Sequence, residues 1–200
     1  MSIVFSSPLG ESYGDFELRT IDIEKDVDLI WGWWESDHVR LHWSVAFRLG
    51  PLLPGAQGYE KQALKAYLKK IIARPDEINP LIVRIGGVDV GYVEEYRIGS
   101  SPLSGHPELS ADDRGYHVLV GDPAYARKGL MPRMGALLIE WQLAKYPQAK
   151  RVAADPDVRN THAIQACLKI PGSIRLQDFQ LPHKLAAVIA SSGNRRTDPA

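Results

Sequence analysis

The stretch RGYHVLVGDPAYARKGLM at 114–131, with VAADPDVRN following at 152–160, decides how this chain is read. Its first half alternates apolar and polar residues and predicts a strand that carries His117. Gly121, Asp122 and Pro123 end that strand, and a loop with Arg127, Lys128 and Gly129 follows. Leu130, Met134, Leu137, Leu138 and Trp141 then recur at helical spacing and predict a helix over 130–145. RVAADP at 151–156 predicts a second strand, which delivers Asp155. A strand that ends in a basic, glycine-bearing loop and turns into a helix presents a row of backbone N–H groups where a phosphate binds well.

Upstream, FELRTI at 16–21 alternates as a strand does, and Asp22 is placed to cap a helix whose apolar face is Val27, Ile30, Trp31 and Trp34. A short helical piece from Val39 to Trp43 comes next. Tyr59, Ala63, Tyr67 and Ile71 stand four apart, so 59–73 reads as an amphipathic helix with Lys61, Lys65, Lys69 and Lys70 on its solvated face. LIVRIGG and VDVGYVEEYRIG, joined at Gly86 and Gly87, predict a hairpin. The segment 100–115 is rich in Pro, Ser and Gly and reads as a long loop, either a binding element or a mobile one. Downstream of Asp155 the pattern predicts a helix over 160–169, then strands SIRLQDFQL and LAAVIA. Residues 1–14 and 191–200 read as loose termini around one domain spanning 1–200. The order is a mixed sheet flanked by helices, an α/β or α+β sandwich.

Lysine plus arginine equals aspartate plus glutamate at 24 each, so no global field draws the chain to nucleic acid or to an anionic membrane. Phosphate recognition, if present, is local. The single cysteine, Cys167, excludes an intrachain disulfide and a cysteine-rich zinc site, in keeping with a reducing compartment. No apolar run nears the ~20 residues that span a bilayer. The start MSIVFSSPLGESYGDF lacks the basic end and apolar core of a signal peptide, so a cytoplasmic location is expected. Neither a metal-ligand spacing nor a Ser/His/Asp set is recognisable.

The element order, with its basic glycine loop before the third major helix, resembles the Gcn5-related N-acetyltransferase (GNAT) superfamily. DRGYHVLVGDPAYARKGL, DPDVRNTHAIQACLK and LPHKLA, in that order, are similar to the branch that acylates hydroxylamines of siderophore precursors, the aerobactin-type hydroxylysine acetyltransferases and the mycobactin lysine acyltransferase. The likeness runs from about residue 16 to 190. It implies the GNAT fold, a mixed and mostly antiparallel central sheet of about seven strands flanked by helices, and acetyl-CoA or another acyl-CoA as co-substrate with no metal.

The resemblance also implies the site. Its pyrophosphate loop, Gln/Arg-x-x-Gly-x-Gly/Ala, aligns with 126–131, where Ala126 and Met131 depart from the pattern. Arg127, Lys128, Gly129, Leu130 and Met131 are the expected CoA-binding residues there, and Pro132 suits the first helical turn. Backbone N–H groups along 117–120, Leu119 and Val120 among them, would polarise the thioester carbonyl. Asn160, also a natural helix cap, and Ala163 would approach the pantetheine arm. Asp155 is the expected general base, and His117 the group that orients the nucleophile and relays its proton. His42, Trp43, Glu94, Tyr96 and His183 are candidates for the acceptor pocket. Cys167 stands where many relatives have a tyrosine thought to protonate the leaving thiolate; its spacing is that of a core residue, which leaves that proton unassigned.

The expected reaction moves an acetyl or other short acyl group from CoA to the N-hydroxylated side-chain amine of ornithine, lysine or a diamine, giving a hydroxamate for siderophore assembly. Attack is direct, since no activated nucleophile is visible. The expected partners are the small hydroxylated amine and siderophore pathway enzymes, with no nucleic acid and no membrane. Two other readings stand beside it: acetylation of a protein N-terminus or an aminoglycoside-like amine, and a CoA-binding protein without catalysis, which Ala126, Met131 and Cys167 motivate.

Overall fold

Asp22 closes the first helix as its position predicts, its side chain accepting the Glu24 N–H at the start of α1 (Ile23–Glu35). The computed structural model describes residues 1–40, 61–126 and 128–193. These divide into two compact units, Met1–Glu95 with His117–Lys128, and Tyr96–Tyr116 with the chain from Gly129 onward.

In the first unit β1 (Ile3–Gly10), β2 (Gly14–Thr20), β3 (Ile78–Ile85) and β4 (Val88–Arg97, which continues into the second unit) follow one another in the sheet. The β1–β2 and β2–β3 pairings are antiparallel. Residues 3–10 are thus no loose end, as their Ser-Ser-Pro composition suggested. β1 is an edge strand, where a proline is tolerated, and Gly10 and Gly14 both take positive φ to turn the chain back on itself. The glycine hairpin forms as expected, with φ of 55° at Gly86 and 81° at Gly87.

Helix α2 (Asp37–Arg40) follows α1, and α3 (Lys61–Ile72) carries the anticipated amphipathic pattern. The remainder of the two sequence-predicted helices, residues 41–43 and 59–60, lies outside the described residues. Ala63, Leu64, Tyr67, Leu68 and Ile71 pack with Val27, Ile30, Trp33 and Trp34 into one apolar cluster that also takes in Tyr92 and Leu119. The α3 lysines face outward, Lys61 pairing with Asp28 at 2.5 Å and Lys65 with Glu24. Trp33 joins Trp34 in that core and Trp31 only flanks it, because Gly121 lies under the Trp33 ring: a Cβ at 121 would sit 2.0 Å from its Cγ.

In the second unit the order is β5 (Arg114–Val120, entering from this unit and continuing into the first), β6 (Val152–Ala154), β10 (Ile189–Ser191) and β7 (Ser173–Arg175). β5 and β6 are parallel through Arg114–Val152 and Gly115–Ala153; β10 is antiparallel to both of its neighbours. Helices α4 (Met131–Lys145) and α5 (Thr161–Leu168) pack on each other. The α4 stripe differs from its sequence reading: Ile139, Gln142 and Leu143 are buried with Met134 and Leu138, while Leu137 and Trp141 are only half-buried. Gly135 sets this face, since a Cβ there would lie 2.4 Å from Ile170 Cδ1.

SIRLQDFQL is two strands, not one. Arg175 pairs with Asp178 across a bend, and the chain resumes as β8 (Phe179–Leu181), which forms a separate two-stranded ribbon with β9 (Lys184–Ala186). The 100–115 segment is fastened down rather than free. It holds 3-10 turns at Ile98–Ser100 and Pro102–Gly105, buries Leu103 and His106, and ends on Asp113, whose carboxylate accepts the Ser110, Lys150 and Arg151 N–H groups. Ser191, expected in a loose tail, is buried in β10, and 194–200 lie outside the described residues. Among the described residues no helix is long and apolar enough to cross a membrane, and no group of three or more His, Cys, Asp or Glu could hold a metal ion.

Arg19, nearly buried on β2, forms a double hydrogen bond to Asp26 (2.7 and 2.9 Å) and a second one to Asp89 (3.0 and 2.7 Å). Burial alone would raise the Asp26 carboxyl, but the Arg19 guanidinium and the Asp22 N–H outweigh it and hold it below its ordinary value of 3.8. The folded state therefore binds fewer protons here than the unfolded chain. This contribution is complete above about pH 4 and is lost as pH falls further, through the lowered folded value. Urea melts should show a stability loss below about pH 4 that is smaller in Asp26→Asn. At neutral pH, Asp26→Asn should cost about 3 kcal/mol, the low end for a broken buried pair because Asp89 remains. Gly121→Ala should cost about 1–3 kcal/mol by the same measurement, since the added methyl must displace Trp33.

Candidate active site

The H-x-x-x-G-D-P segment has a local physical account. Gly121 admits the Trp33 ring, and the Gly121 and Asp122 N–H groups both donate to the Val90 carbonyl, at 2.9 and 3.0 Å. Asp122 then builds the turn: its Oδ1 accepts the Ala124 N–H at 2.8 Å and its carbonyl accepts from Tyr125 and Ala126 at 3.1 Å each. Arg127 lies outside the described residues, and Lys128 is exposed. Gly129 takes φ 68°, with nothing within 4 Å of the place a Cβ would occupy. Leu130 is buried at the N-cap of α4 and makes no side-chain hydrogen bond there. Met131 is half-buried, and Pro132 lies in the first turn, where its missing N–H costs least.

Of the other residues expected at the cofactor, Leu119 is part of the apolar cluster, and its carbonyl lies so close to Gly91 that a Cβ there would sit 2.2 Å from the oxygen. The Val120 carbonyl meets His38 Nε2 at 3.0 Å. Asn160 caps α5, accepting the Ala163 N–H at 3.1 Å, so at least one of its lone pairs serves the fold; Ala163 is half-buried.

His117 and Glu94 meet in the first unit. His117 Nδ1 is 3.4 Å from Glu94 Oε2, and Glu94 Oε1 accepts from the Tyr67 hydroxyl at 2.9 Å and the Tyr92 hydroxyl at 2.8 Å. Glu94, expected at the acceptor, is 0% exposed. Its neighbour Glu95 points the other way along the pleat and accepts from Asn79 at 2.9 Å.

Asp155 is the centre of a second arrangement, within the second unit. It directly follows β6, is 5% exposed, and accepts from the Tyr96 hydroxyl on Oδ1 at 3.0 Å, while Lys184 Nζ lies 3.0 Å from Oδ2. Lys184 also donates to the Asp155 backbone carbonyl. An ammonium and a phenol on separate oxygens favour the ionised carboxylate. Tyr96 is buried, with Gly115 making room for its ring: a Cβ at 115 would fall 2.3 Å from Cε2. Asp157 plays a different part from Asp155. Its carboxylate is bound by the Arg159 side chain and N–H, which hold it down to about 2 against a small burial effect.

The segment after Asp155 is strung to the β8–β9 ribbon. Ala187 N–H donates to the Pro156 carbonyl at 2.8 Å, Val158 N–H to the Leu185 carbonyl at 3.0 Å, and Asp157 bridges Ala186. D-P-D-x-R-N and L-P-H-K are therefore two halves of one construction. His183 is half-buried at the tip of that ribbon, and the residue that reaches Asp155 is its neighbour Lys184. Lys184 on Asp155 and Tyr67 on Glu94 are contacts that spacing along the sequence does not reveal, because each joins elements far apart in the chain; Tyr92 reaches Glu94 from two residues away on the same strand. His42 and Trp43 lie outside the described residues.

Cys167 is buried, as its spacing implied, with Sγ 3.9 Å from the Tyr116 hydroxyl. Burial pushes its thiol up to about 11, against the pull of the Tyr116 hydrogen bond and with the Asp155 charge adding to the rise. Burial also holds the Tyr116 phenol well above its usual range. Both are neutral at physiological pH, and neither is an activated nucleophile.

Comparison with known proteins agrees with this architecture. The chain is 29% identical over 181 residues to lysine N-acyltransferase MbtK of Mycobacterium sp. (strain MCS), covering 88% of this chain and 66% of the relative. It is 25% identical to N-hydroxyputrescine acetyltransferase of Acinetobacter baumannii, over 84% of this chain and 76% of that protein. The chain thus spans about two thirds to three quarters of these relatives' lengths. Among solved structures, an uncharacterized protein of Bacillus halodurans shares the fold at a TM-score of 0.76, 21% identity and 94% and 89% coverage of the two chains. AAC(6')-Ib, solved with Parmomycin and acetyl-CoA, does so at 0.71, 22% identity and 92% and 99% coverage. A family model described as an acetyltransferase (GNAT) domain matches residues 22–177, which take in every element from α1 to β7, and the chain belongs to the GNAT acetyltransferase family.

Proposed function

We propose that this protein is an acyl-CoA-dependent N-acyltransferase that forms a hydroxamate on the N-hydroxylated side-chain amine of an ornithine, a lysine or a diamine, a step of siderophore assembly. The observation that carries the reading is Asp155. A buried carboxylate directly after a strand, held ionised by a phenol and an ammonium, suits a general base for a nucleophile that needs little persuasion. A hydroxylamine nitrogen is already neutral near physiological pH, so only one proton has to leave as the C–N bond forms. The name of one curated relative, an N-acyltransferase of lysine, supports a side-chain amine as the acceptor, and that of the other, an acetyltransferase of N-hydroxyputrescine, supports a hydroxylated one.

In this reading the loop through Lys128 and Gly129 and the start of α4 receive the CoA pyrophosphate on backbone N–H groups, with Lys128 adding charge. Backbone donors of 117–120 polarise the thioester carbonyl, and Asn160 and Ala163 flank the pantetheine. Asp155 takes the proton from the attacking nitrogen; the family resemblance supports pairing it with His117, which orients the nucleophile and relays the proton. The amine attacks the thioester carbon, the C–S bond breaks, and CoA leaves. Cytoplasmic location and association with other siderophore enzymes accompany this proposal.

Thiol release from acetyl-CoA, followed with N-hydroxyornithine, N-hydroxylysine, N-hydroxycadaverine, N-hydroxyputrescine and their unhydroxylated parents, tests it. Turnover is expected only with hydroxylated amines, and Asp155→Ala should lower kcat by about 10²–10⁴. Equal turnover with the parent amines would move the acceptor to an ordinary amine. Tight acetyl-CoA binding with no turnover would favour a non-catalytic CoA-binding protein. Gly129→Ala should fold with a penalty of about 1–2 kcal/mol for its left-handed backbone, and raise the KM for acetyl-CoA several-fold while kcat with the same acceptor changes little.

A further inference from the structure

Lys184 stands where a lysine is costly. The pleat of β9 alternates: Leu185 is 41% exposed, Ala186 is buried, and Lys184, on the same side as Ala186, keeps 16% of its side-chain exposure. Its partner across the ribbon, Leu181, is buried as well. A lysine drawn inward ordinarily lays its stem along apolar surface and returns its ammonium to water. This one gives its ammonium to Asp155, 3.0 Å from Oδ2, and donates to the backbone carbonyl of the same residue. The Gln180 side-chain amide donates to the Leu181 and Lys184 carbonyls, at 2.7 and 3.2 Å, and so ties both sides of the turn that presents the lysine.

We propose that Lys184 is the positioning residue of Asp155, fixing the direction of its carboxylate and holding it ready for the proton of the attacking nitrogen. Contact with both the side chain and the main chain of one residue limits rotation between them. A cation at this distance also favours the charged form, so Asp155 stays ionised to a lower pH with Lys184 than without it. A nucleophile that is already neutral asks for an ionised base and little more. Other ionisable groups surround the pair: Tyr96 from β4, Cys167 from α5 with Tyr116 of β5 against it, Asp157 with Arg159 in the segment after β6, and His183 next to Lys184 in the ribbon. All of them stay in place when residue 184 alone is changed, so a comparison at 184 isolates its charge. The catalytic consequence rests on the acyltransferase reading with Asp155 as base; the effect of the ammonium on the carboxylate does not.

Carbon-13 NMR of aspartate-labelled protein, free of ligands, follows the Asp155 carboxyl, with Asp155→Asn identifying its signal. In Lys184→Met its titration midpoint should lie at least about one pH unit above the native one, and in Lys184→Arg, which keeps the charge, within about half a unit of it. If Lys184→Met does not fold, the native protein decides. Labelled with nitrogen-15 at lysine, it should show a Lys184 ammonium, identified by its loss in Lys184→Arg, that shifts with the midpoint of the Asp155 carboxyl. An Asp155 midpoint unmoved in Lys184→Met, or a Lys184 ammonium that does not respond as Asp155 titrates, overturns the proposal. With an active acceptor in hand, the acid limb of the Lys184→Met pH–rate profile should move up with the NMR midpoint, so that one pH unit below it kcat is about a tenth of its plateau, with the KM for acetyl-CoA unchanged. Lys184→Arg should bring the limb back. A Lys184→Met enzyme slowed equally at every pH would mark a structural role alone and also overturn the proposal. Absence of turnover in every protein, native included, would defeat the acyltransferase reading and leave the NMR result standing.

Discussion

A carboxylate cannot be buried bare, and this molecule is organised around several that are not. Asp26 is held by Arg19, Asp113 by three backbone N–H groups, Glu94 by two phenols and a histidine, and Asp155 by a phenol and an ammonium. Several of these compensations, Tyr67 on Glu94, Lys150 and Arg151 on Asp113, and Tyr96 and Lys184 on Asp155, join elements distant in the chain and so fix tertiary geometry that apolar packing alone leaves loose. The partners also sort the four by use. Asp26 and Asp113 are fully committed to the fold. Glu94 and Asp155 instead pair with groups that handle protons, and the candidate chemistry is read from them.

The elements that sequence reveals well are those whose signal is local. Asp22 announces a helix start because a side-chain oxygen and an N–H two residues on need nothing else. Gly86 and Gly87 announce a hairpin because few other residues take positive φ in succession. β1 is hidden for the opposite reason: Ser, Ser and Pro are loop residues by composition, and only pairing with β2 makes them a strand. The division of 173–181 leaves only a faint mark: Ile174 and Leu176 alternate, Asp178 falls where the next apolar residue is due, and Phe179 and Leu181 resume one residue out of phase, at the Arg175–Asp178 bend. On α1 and α4 the period was legible but the phase was not, because Gly121 and Gly135, on other elements or faces, decide which side approaches its neighbour most closely.

The site divides in the same way. His117, Asp155 and the loop before α4 are candidates named from sequence through the order of motifs in a family resemblance. Their settings are not legible there. Tyr96, a candidate for the acceptor pocket, donates to Asp155, and the residue of L-P-H-K that reaches this carboxylate is the lysine. A pairwise contact between residues 155 and 184 leaves no trace in spacing.

The strapping of 155–158 to the β8–β9 ribbon has an evolutionary corollary. Main-chain bonds from Ala187 to Pro156 and from Val158 to Leu185 give the aspartate's backbone its course, and the same ribbon furnishes its counter-ion. The two stretches, separated by some thirty positions, form a single heritable module. A chimera that grafted one of them from a distant relative would import a carboxylate fitted to another protein's lysine. Diversification of this family toward new acceptors is then expected to proceed by exchange of both together, with the helix between them carried along as a passenger.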